Sequence, residues 1–183
     1  AKLVEFLNRF NLPFTFKSST EAYKSGFFNE TIKKILLNYE KILNVVLPTL
    51  GEDRRKTYSP FFPIDENTGK ILQVPINEVN TDDFTISYIF EGKTHVKSVL
   101  DGHCKLQWKV DWAMRWAAFG VDYEMCGKDL TDSYVLSSKI CRIIGSTPPE
   151  NLIYELFLDE NEEKISKSKG NGISIDDWLK YSI

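Results

Sequence analysis

One segment of the chain is both cationic and rich in hydroxyl groups, the run Lys-Ile-Ser-Lys-Ser-Lys-Gly at residues 164–170. Asn171 and Gly172 follow it, and because these residue types tolerate positive φ the segment is typical of a loop. Loops of this composition bind phosphates, since ammonium groups neutralise charge and hydroxyl and backbone N–H groups donate hydrogen bonds. Acidic residues precede it at 159–163. A solvated turn whose lysines only balance these carboxylates is therefore the alternative, and composition alone favours it.

A second candidate is the tripeptide Gly127-Lys128-Asp129, which lies where a predicted strand gives way to a predicted helix. Glycine allows a ligand to approach closely, a helix N-terminus favours an anion, and Asp129 could accept hydrogen bonds from ribose hydroxyls. Alternatively, Asp129 only caps the helix that follows. The local sequence does not decide between these two roles.

The third candidate is an aromatic helix face. Its members recur at helical spacing and are Trp108, Trp112, Trp116 and Phe119. Such a face usually belongs to a hydrophobic core. With Asp111 beside it, the face would also suit a cationic ligand, through cation–π attraction and charge pairing. From the residues alone, the core is the favoured interpretation.

Histidine and metal chemistry have little support. The chain has two histidines, and His103-Cys104 is the only adjacent His/Cys pair, whereas a structural zinc site needs four ligands. Phosphate-loop, nucleophile-elbow and zinc-protease motifs do not occur. The three cysteines, Cys104, Cys126 and Cys141, are widely spaced and odd in number, which predicts reduced thiols in a cytosolic protein.

Composition predicts one sizeable packed domain, or one domain with an insertion. The 183 residues are 42% hydrophobic and 13% aromatic, as expected of a globular protein. A net charge of −3 argues against nucleic-acid binding over the whole surface, so any contact with a polyanion would be local. No apolar run is long enough to cross a bilayer. The chain starts within a helical pattern without methionine, so we expect a piece of something longer.

The order of predicted helices and strands around these residues indicates an α/β fold. In residues 1–55, the apolar spacing predicts helices at 1–11, after Ser18 and from Asn29 to Pro48. A short strand is predicted around Phe14 and Phe16. We interpret residues 56–105 as an antiparallel β insertion. Its predicted parts are strands at 71–76 and 84–90, a turn at 91–94 and a returning strand to Leu100.

Residues 106–183 predict a parallel βαβ unit. The aromatic helix precedes a strand at 121–125, a helix at 131–144 and a buried strand at 152–158. Ligands of parallel sheets bind beyond the carboxyl ends of the strands. The tripeptide at 127 and the loop at 164 each follow a strand, so they could lie at the same sheet edge.

These motifs together resemble a known family. Lys164-Ile165-Ser166-Lys167-Ser168 resembles the K-M-S-K-S signature of class I aminoacyl-tRNA synthetases, with isoleucine second. The segments 102–116 and 120–124, with Gly127-Lys128-Asp129, resemble class I lysyl-tRNA synthetase, the archaeal type also found in some bacteria. Segments 57–61 and 72–75 agree. The likeness covers nearly the whole chain, and the tryptophan segment is specific to that family.

The resemblance implies a Rossmann-like catalytic domain with an inserted connective region. Lysine would be activated with ATP, bound with Mg²⁺, to lysyl adenylate, and then passed to the terminal adenosine of tRNA(Lys). It implies L-lysine, ATP and tRNA(Lys) as partners, a cytoplasmic location, no membrane or DNA partner and no structural zinc.

The resemblance also implies roles for individual residues. Lys164 and Lys167 would stabilise the charge that builds on the β- and γ-phosphates as pyrophosphate leaves, with Ser166 and Ser168 assisting. Gly127, Lys128 and Asp129 would bind ATP together with Lys167. The pocket for the substrate lysine would be lined by Trp108, Trp112 and Asp111.

The chain also departs from the family pattern. The H-I-G-H-like motif and a helical anticodon-reading domain do not occur in it, so we expect an internal fragment that folds but does not aminoacylate by itself. Leu130 and residues 65–69 stand where many members carry a histidine and a cysteine-bearing knuckle. Two alternatives remain: another adenylate-forming nucleotidyltransferase of this fold, and a non-catalytic RNA-binding module.

Overall fold

The computed structural model describes residues 2–166, 168–172 and 174–181. Its α-helices are α1 (Lys2–Arg9), α2 (Ser19–Lys24), α3 (Asn29–Leu37), α4 (Tyr39–Val46), α5 (Glu52–Thr57), α6 (Trp108–Phe119), α7 (Thr131–Ile143) and α8 (Ile175–Tyr181). Its strands are β1 (Phe61–Pro63), β2 (Ile76–Asn80), β3 (Thr85–Phe90), β4 (Lys93–Ser98), β5 (Cys104–Leu106), β6 (Tyr123–Gly127) and β7 (Glu150–Tyr154). The predicted mixture of helices and strands is confirmed.

The first helices follow their local signals, but the strand predicted near Phe14 and Phe16 is wrong. Ser18 caps α2 by accepting a hydrogen bond from the Glu21 N–H, and Gly26 adopts a positive φ of 76° where the chain turns. Residues 12–18 have no regular structure, and both phenylalanines are exposed. Two alternating aromatics do not form a strand unless another strand pairs with them.

The long helix predicted from Asn29 is broken into α3 and α4 at Asn38. The Asn38 side chain donates a hydrogen bond to the Lys34 carbonyl at 2.9 Å, which competes with continuation of the helix. Asn29 does not cap α3. Its side chain instead donates to the Asp101 carboxylate at 2.8 Å and accepts the Asp101 N–H at 3.1 Å, joining α3 to the turn before β5.

The middle of the chain contains antiparallel strands, as predicted. β2, β3 and β4 form a meander, and Glu91 and Gly92 have the two positive φ angles of a tight hairpin turn. The strand predicted at 71–76 is wrong, because Ile71 makes only an isolated bridge with Ile64 and β2 begins at Ile76. β1 pairs with β5, bringing the two ends of segment 64–103 together. The boundaries 56–105 stay a prediction.

The final part of the chain contains the predicted parallel pair. β6 and β7 run parallel with α7 between them in sequence, and α7 packs against α6 and α4. Both strands differ from the predicted ranges, and the prediction that the second is buried is wrong. Leu152, Ile153 and Tyr154 are exposed, because β7 has β6 as its single strand neighbour in the described part of the chain.

The core lies between the helices α3, α4, α6 and α7 and the strands β1 and β5. Its largest fully buried side chains are Trp116, Phe28, Phe61, Ile32, Ile35, Leu36, Ile42, Ile86, Leu106, Met114, Ile140 and Val46. The three cysteines are unpaired and buried, which confirms the predicted free thiols. Among the described residues, no helix has the length and apolar character needed to span a membrane.

Candidate functional site

The cationic loop and the tripeptide at 127 meet. The Lys164 ammonium lies 2.6 Å from the Asp129 carboxylate, although 35 residues separate them. The tripeptide begins at the carboxyl end of β6, and the loop follows the carboxyl end of β7. The prediction that the two could share one sheet edge is therefore confirmed. This is the edge at which ligands of parallel sheets bind.

Asp129 faces this edge and does not cap α7. The residue before α7 is Leu130, and that helix has no side-chain cap. The hydrogen bond from Lys164 holds the pKa of the Asp129 carboxyl below its ordinary value. At Gly127, a Cβ atom would lie 2.9 Å from the Asp129 carboxylate, so a larger residue would displace that side chain. The capping alternative is thus excluded, and the carboxylate is available to a ligand that displaces Lys164.

Lys128 takes no part in the contact between the two motifs. Its ammonium pairs with Glu155 at 3.0 Å, in the segment that follows β7, and both side chains are exposed. Lys128 is therefore at the same edge of the parallel pair, with its charge shared with an exposed carboxylate. Its role in ATP binding stays a prediction.

Short polar contacts connect the described residues of the loop. The Ser166 and Ser168 hydroxyls lie 2.8 Å apart, and the Asn171 side chain accepts the Ser166 N–H at 2.9 Å. Lys169 pairs with Glu163 at 2.7 Å, as a charge-balanced turn would predict, whereas Lys164 reaches away to Asp129. Lys167, on which the phosphate-binding prediction also depends, lies outside the described residues.

The tryptophans of α6 form a ladder from solvent to core, which we call the tryptophan wall (Trp108, Trp112 and Trp116). Trp108 and Trp112 stack with centroids 4.8 Å apart, and Trp112 and Trp116 lie 4.9 Å apart. Trp108 is 44% exposed and Trp116 is 1% exposed. The wall is thus core at Trp116 and accessible surface at Trp108, so the core interpretation holds at one end and the ligand-binding interpretation stays a prediction at the other.

The carboxylate that contacts the wall is Glu124 of β6. Its Oε2 atom accepts the indole N–H of Trp112 at 3.0 Å and that of Trp116 at 2.8 Å. Sequence reasoning assigned Glu124 no role. The available signals were its place in a predicted strand that follows α6 and in the family-like segment 120–124, and neither indicated which side chain it would meet.

Asp111, the carboxylate assigned to the lysine pocket, is buried and bonded within the fold. The Tyr23 hydroxyl donates to Oδ1 at 2.5 Å and the Arg115 Nε donates to Oδ2 at 2.7 Å. Burial is the largest cause of a raised pKa at Tyr23, with the Asp111 charge second. Both oxygens of Asp111 therefore have structural partners, and its place in a substrate pocket stays a prediction.

Comparison with known proteins gives the family. The family model described as tRNA synthetases class I (K) matches residues 1–183. The chain belongs to this family. Similar curated proteins are lysine–tRNA ligases of Rickettsia bellii (strain OSU 85-389), Rickettsia felis (strain ATCC VR-1525 / URRWXCal2) and Rickettsia akari (strain Hartford), which are 56%, 55% and 54% identical over 183 residues. The match covers 100% of this chain and 35% of each relative, so the chain spans about a third of their length.

Family membership agrees with the two motifs that meet at the edge of the parallel pair. In the described ranges, no group of three or more His, Cys, Asp or Glu side chains could hold a metal ion. The expectation that this family member has no structural zinc stays a prediction. The assigned roles of the lysines, serines, tripeptide and tryptophans also stay predictions.

Proposed function

We propose that this chain is part of a lysine–tRNA ligase and that the residues of its candidate site act in the activation of lysine. ATP and lysine would give lysyl adenylate and pyrophosphate, and the lysyl group would then pass to tRNA(Lys). The contact between Lys164 and Asp129 carries the proposal, because it joins the two motifs that the family resemblance assigns to ATP. The name of the relatives supports the choice of lysine.

The proposal includes the fold of the whole catalytic region. We infer a Rossmann-like body interrupted by an antiparallel connective region at 56–105. The parallel pairing of β6 with β7 supports the first part. The pairing of β1 with β5 supports the second, because an insertion must leave and re-enter its parent body at neighbouring points.

ATP would exchange the Lys164–Asp129 contact for contacts of its own. The ribose hydroxyls would donate hydrogen bonds to Asp129, and the phosphates would attract the released Lys164 ammonium. With Lys167 and the hydroxyls of Ser166 and Ser168, this ammonium would stabilise the charge that develops as pyrophosphate leaves. Both partners are about half exposed, at 51% and 45%, so the ligand-free ion pair is weak enough to be exchanged.

The substrate lysine would lie against the exposed end of the tryptophan wall. A lysine ammonium is attracted to the face of an indole ring, by about 0.5–1 kcal/mol at exposed sites and more when desolvated. β6 connects this wall to the ATP edge, because it carries Glu124 and ends at Gly127. One strand thus positions both halves of the proposed site.

The direct test is amino-acid-dependent exchange of pyrophosphate into ATP by the full-length protein. We expect exchange with lysine and only background exchange with the other standard amino acids. Exchange with a different amino acid would instead support another adenylate-forming enzyme of the same fold. No exchange with any amino acid, combined with RNA binding, would support the non-catalytic module.

Substitution Lys167→Ala separates catalysis from RNA docking. In the full-length protein we expect it to lower the adenylation rate by about a hundredfold, because one charge contact to the transition state is lost. Affinity for tRNA(Lys), measured across a salt series, should change by less than about twofold. A docking role would instead weaken RNA binding and reduce its salt dependence.

Lys169→Ala is the matched control, since it removes the same charge two residues away. The Lys169 ammonium pairs with Glu163 and is not assigned to ATP. We expect its adenylation rate to stay close to that of the wild-type protein. Equal losses in the two variants would show that general positive charge, and not a specific contact, is what the loop contributes.

A further inference from the structure

Two indole N–H groups converge on one carboxylate oxygen behind the tryptophan wall. Trp112 and Trp116 both donate to Oε2 of Glu124, at 3.0 and 2.8 Å, and Glu124 is half-buried. The backbone of Glu124 is held from the next strand, because the Asn151 side chain donates to its carbonyl at 3.0 Å. The carboxylate is therefore held by two indoles of α6, and the backbone that carries it is held from β7.

The charge of Glu124 has no cationic partner among the described residues. Asp111 pairs with Arg115 and Asp129 pairs with Lys164, whereas no such ion pair includes Glu124. A carboxylate that loses part of its hydration needs other dipoles or charges to replace it. Here the two indole dipoles solvate the anion, and its net negative charge stays beside the wall.

Glu124 restrains the indole ring of Trp112, which lies between the exposed Trp108 and the buried Trp116. The hydrogen bond from its N–H to Glu124 fixes the orientation of the Trp112 ring. Trp108 stacks on that ring with an interplanar angle of 20°. A negative charge at the N–H edge of an indole also makes the ring face more attractive to a cation. Glu124 therefore orients the stacked rings and strengthens their attraction for positive charge.

We infer that Glu124 is a positioning and specificity-determining residue, which acts through Trp112 and Trp108 to select a substrate that carries an ammonium group. The inference depends on the proposed function, because the substrate in question is the lysine side chain. Glu124 does not touch the substrate in this scheme. Its charge and its two hydrogen bonds set the orientation and electrostatic potential of the surface that does.

The test compares Glu124→Gln and Glu124→Ala in the full-length protein by lysine-dependent exchange. Glutamine keeps an oxygen that can accept both indole N–H groups but removes the charge. We expect the KM for lysine to rise several-fold in Glu124→Gln and by about tenfold or more in Glu124→Ala. The kcat and the KM for ATP should stay near wild-type values, because neither contact lies at the phosphates.

Inhibition by norleucine separates charge selection from a structural role. Norleucine has the lysine side chain without its amino group, so it measures the shape of the pocket without the charge. We expect its inhibition constant to change by less than about twofold in Glu124→Gln while the KM for lysine rises. Equal weakening of lysine and norleucine would overturn the inference in favour of a structural tie between β6 and α6.

Glu150→Gln is the matched control, because Glu150 is an exposed carboxylate at the start of β7. Its kinetic constants should stay at wild-type values. If the wild-type protein shows no lysine-dependent exchange, both the proposed function and this inference fail. If it shows normal exchange and Glu124→Gln leaves the KM for lysine unchanged, this inference alone fails.

Discussion

The pKa of the Asp129 carboxyl is lowered mainly by one residue from a distant part of the chain, Lys164. The hydrogen bond from Lys164 is the largest cause of its lowered pKa. Both side chains are about half exposed, so water and salt screen the pair and its contribution to folding is small. A ligand that separates Lys164 from Asp129 therefore needs to replace only a weak ion pair.

Removal of the Lys164 ammonium should raise the pKa of Asp129. In Lys164→Ala, we expect the carboxyl to titrate closer to its ordinary value near 3.8, as measured by NMR of the side-chain carboxyl carbon. Since a lowered pKa stabilises the fold above the unfolded value, the wild-type contribution is lost as pH falls through the folded pKa. Lys164→Ala should lack this component of acid destabilisation.

Asp177 provides the internal reference for that titration. Its pKa is also lowered, with the hydrogen bond from Lys180 as the largest cause. Lys164→Ala should leave the Asp177 titration in place. An unchanged Asp129 titration in this variant would show that the two motifs are not in contact in solution.

Helix α6 is the element that the rest of the site depends on. It presents the tryptophan wall to Glu124, and it packs against α3, α7 and β5. Its end is fixed by Gly120, which adopts a left-handed conformation with φ 62° and turns the chain into β6. The position of β6 beside the wall therefore depends on where this helix stops.

Gly120→Ala should destabilise the fold by about 1 kcal/mol. A Cβ atom at Gly120 would meet no atom within 4 Å, so the cost would come from the positive φ alone. Unfolding in urea measures this loss of stability.

Gly51→Ala is the control, because Gly51 is equally unobstructed but has a φ of −67°. We expect that variant to be close to neutral, because the gain from a stiffer unfolded chain is offset by the poor N-cap that alanine provides for α5. Equal losses at both positions would contradict the backbone explanation.

A polar network that we call the buried junction (Ser19, Tyr23, Leu106, Asp111 and Arg115) joins α2 near the start of the chain to β5 and α6. The Tyr23 hydroxyl of α2 donates to Asp111 of α6 and accepts the N–H of Leu106 in β5. Arg115 completes the network by pairing with Asp111 and donating to the Ser19 hydroxyl at 2.8 Å. Residues that lie up to 96 positions apart are thus tied together by charge-assisted hydrogen bonds.

Tyr23→Phe should destabilise the protein by roughly 1–3 kcal/mol in urea unfolding. The substitution keeps the ring but leaves one Asp111 oxygen and the Leu106 N–H without their partner. Tyr181→Phe is the control, because its side chain is 88% exposed, and its unfolding free energy should be nearly unchanged. A loss that is no larger in Tyr23→Phe would mean that the junction does not stabilise the fold.

Elements whose signals are local could be predicted from the amino-acid sequence. The spacing of the tryptophans predicted α6, Ser18 marked the start of α2, and the turn predicted at 91–94 contains the hairpin turn at Glu91 and Gly92. Each of these depends on contacts within a few residues. The strand bounds were displaced: β6 was predicted two residues too early, at 121–125, and β7 too late, at 152–158, because a strand ends where its partner ends and not where its own apolar pattern ends.

Which side chains meet could not be predicted before the fold was known. Asp111 and Trp112 are adjacent in sequence, and for that reason Asp111 was assigned to the aromatic pocket. Successive residues on a helix point about 100° apart, so Asp111 turns to Tyr23 while Trp112 turns to Glu124. The pairing of Lys164 with Asp129 likewise required two loops to leave the same ends of a parallel pair. Local sequence specifies residue types and elements, whereas the direction of each side chain in the packed fold selects its partner.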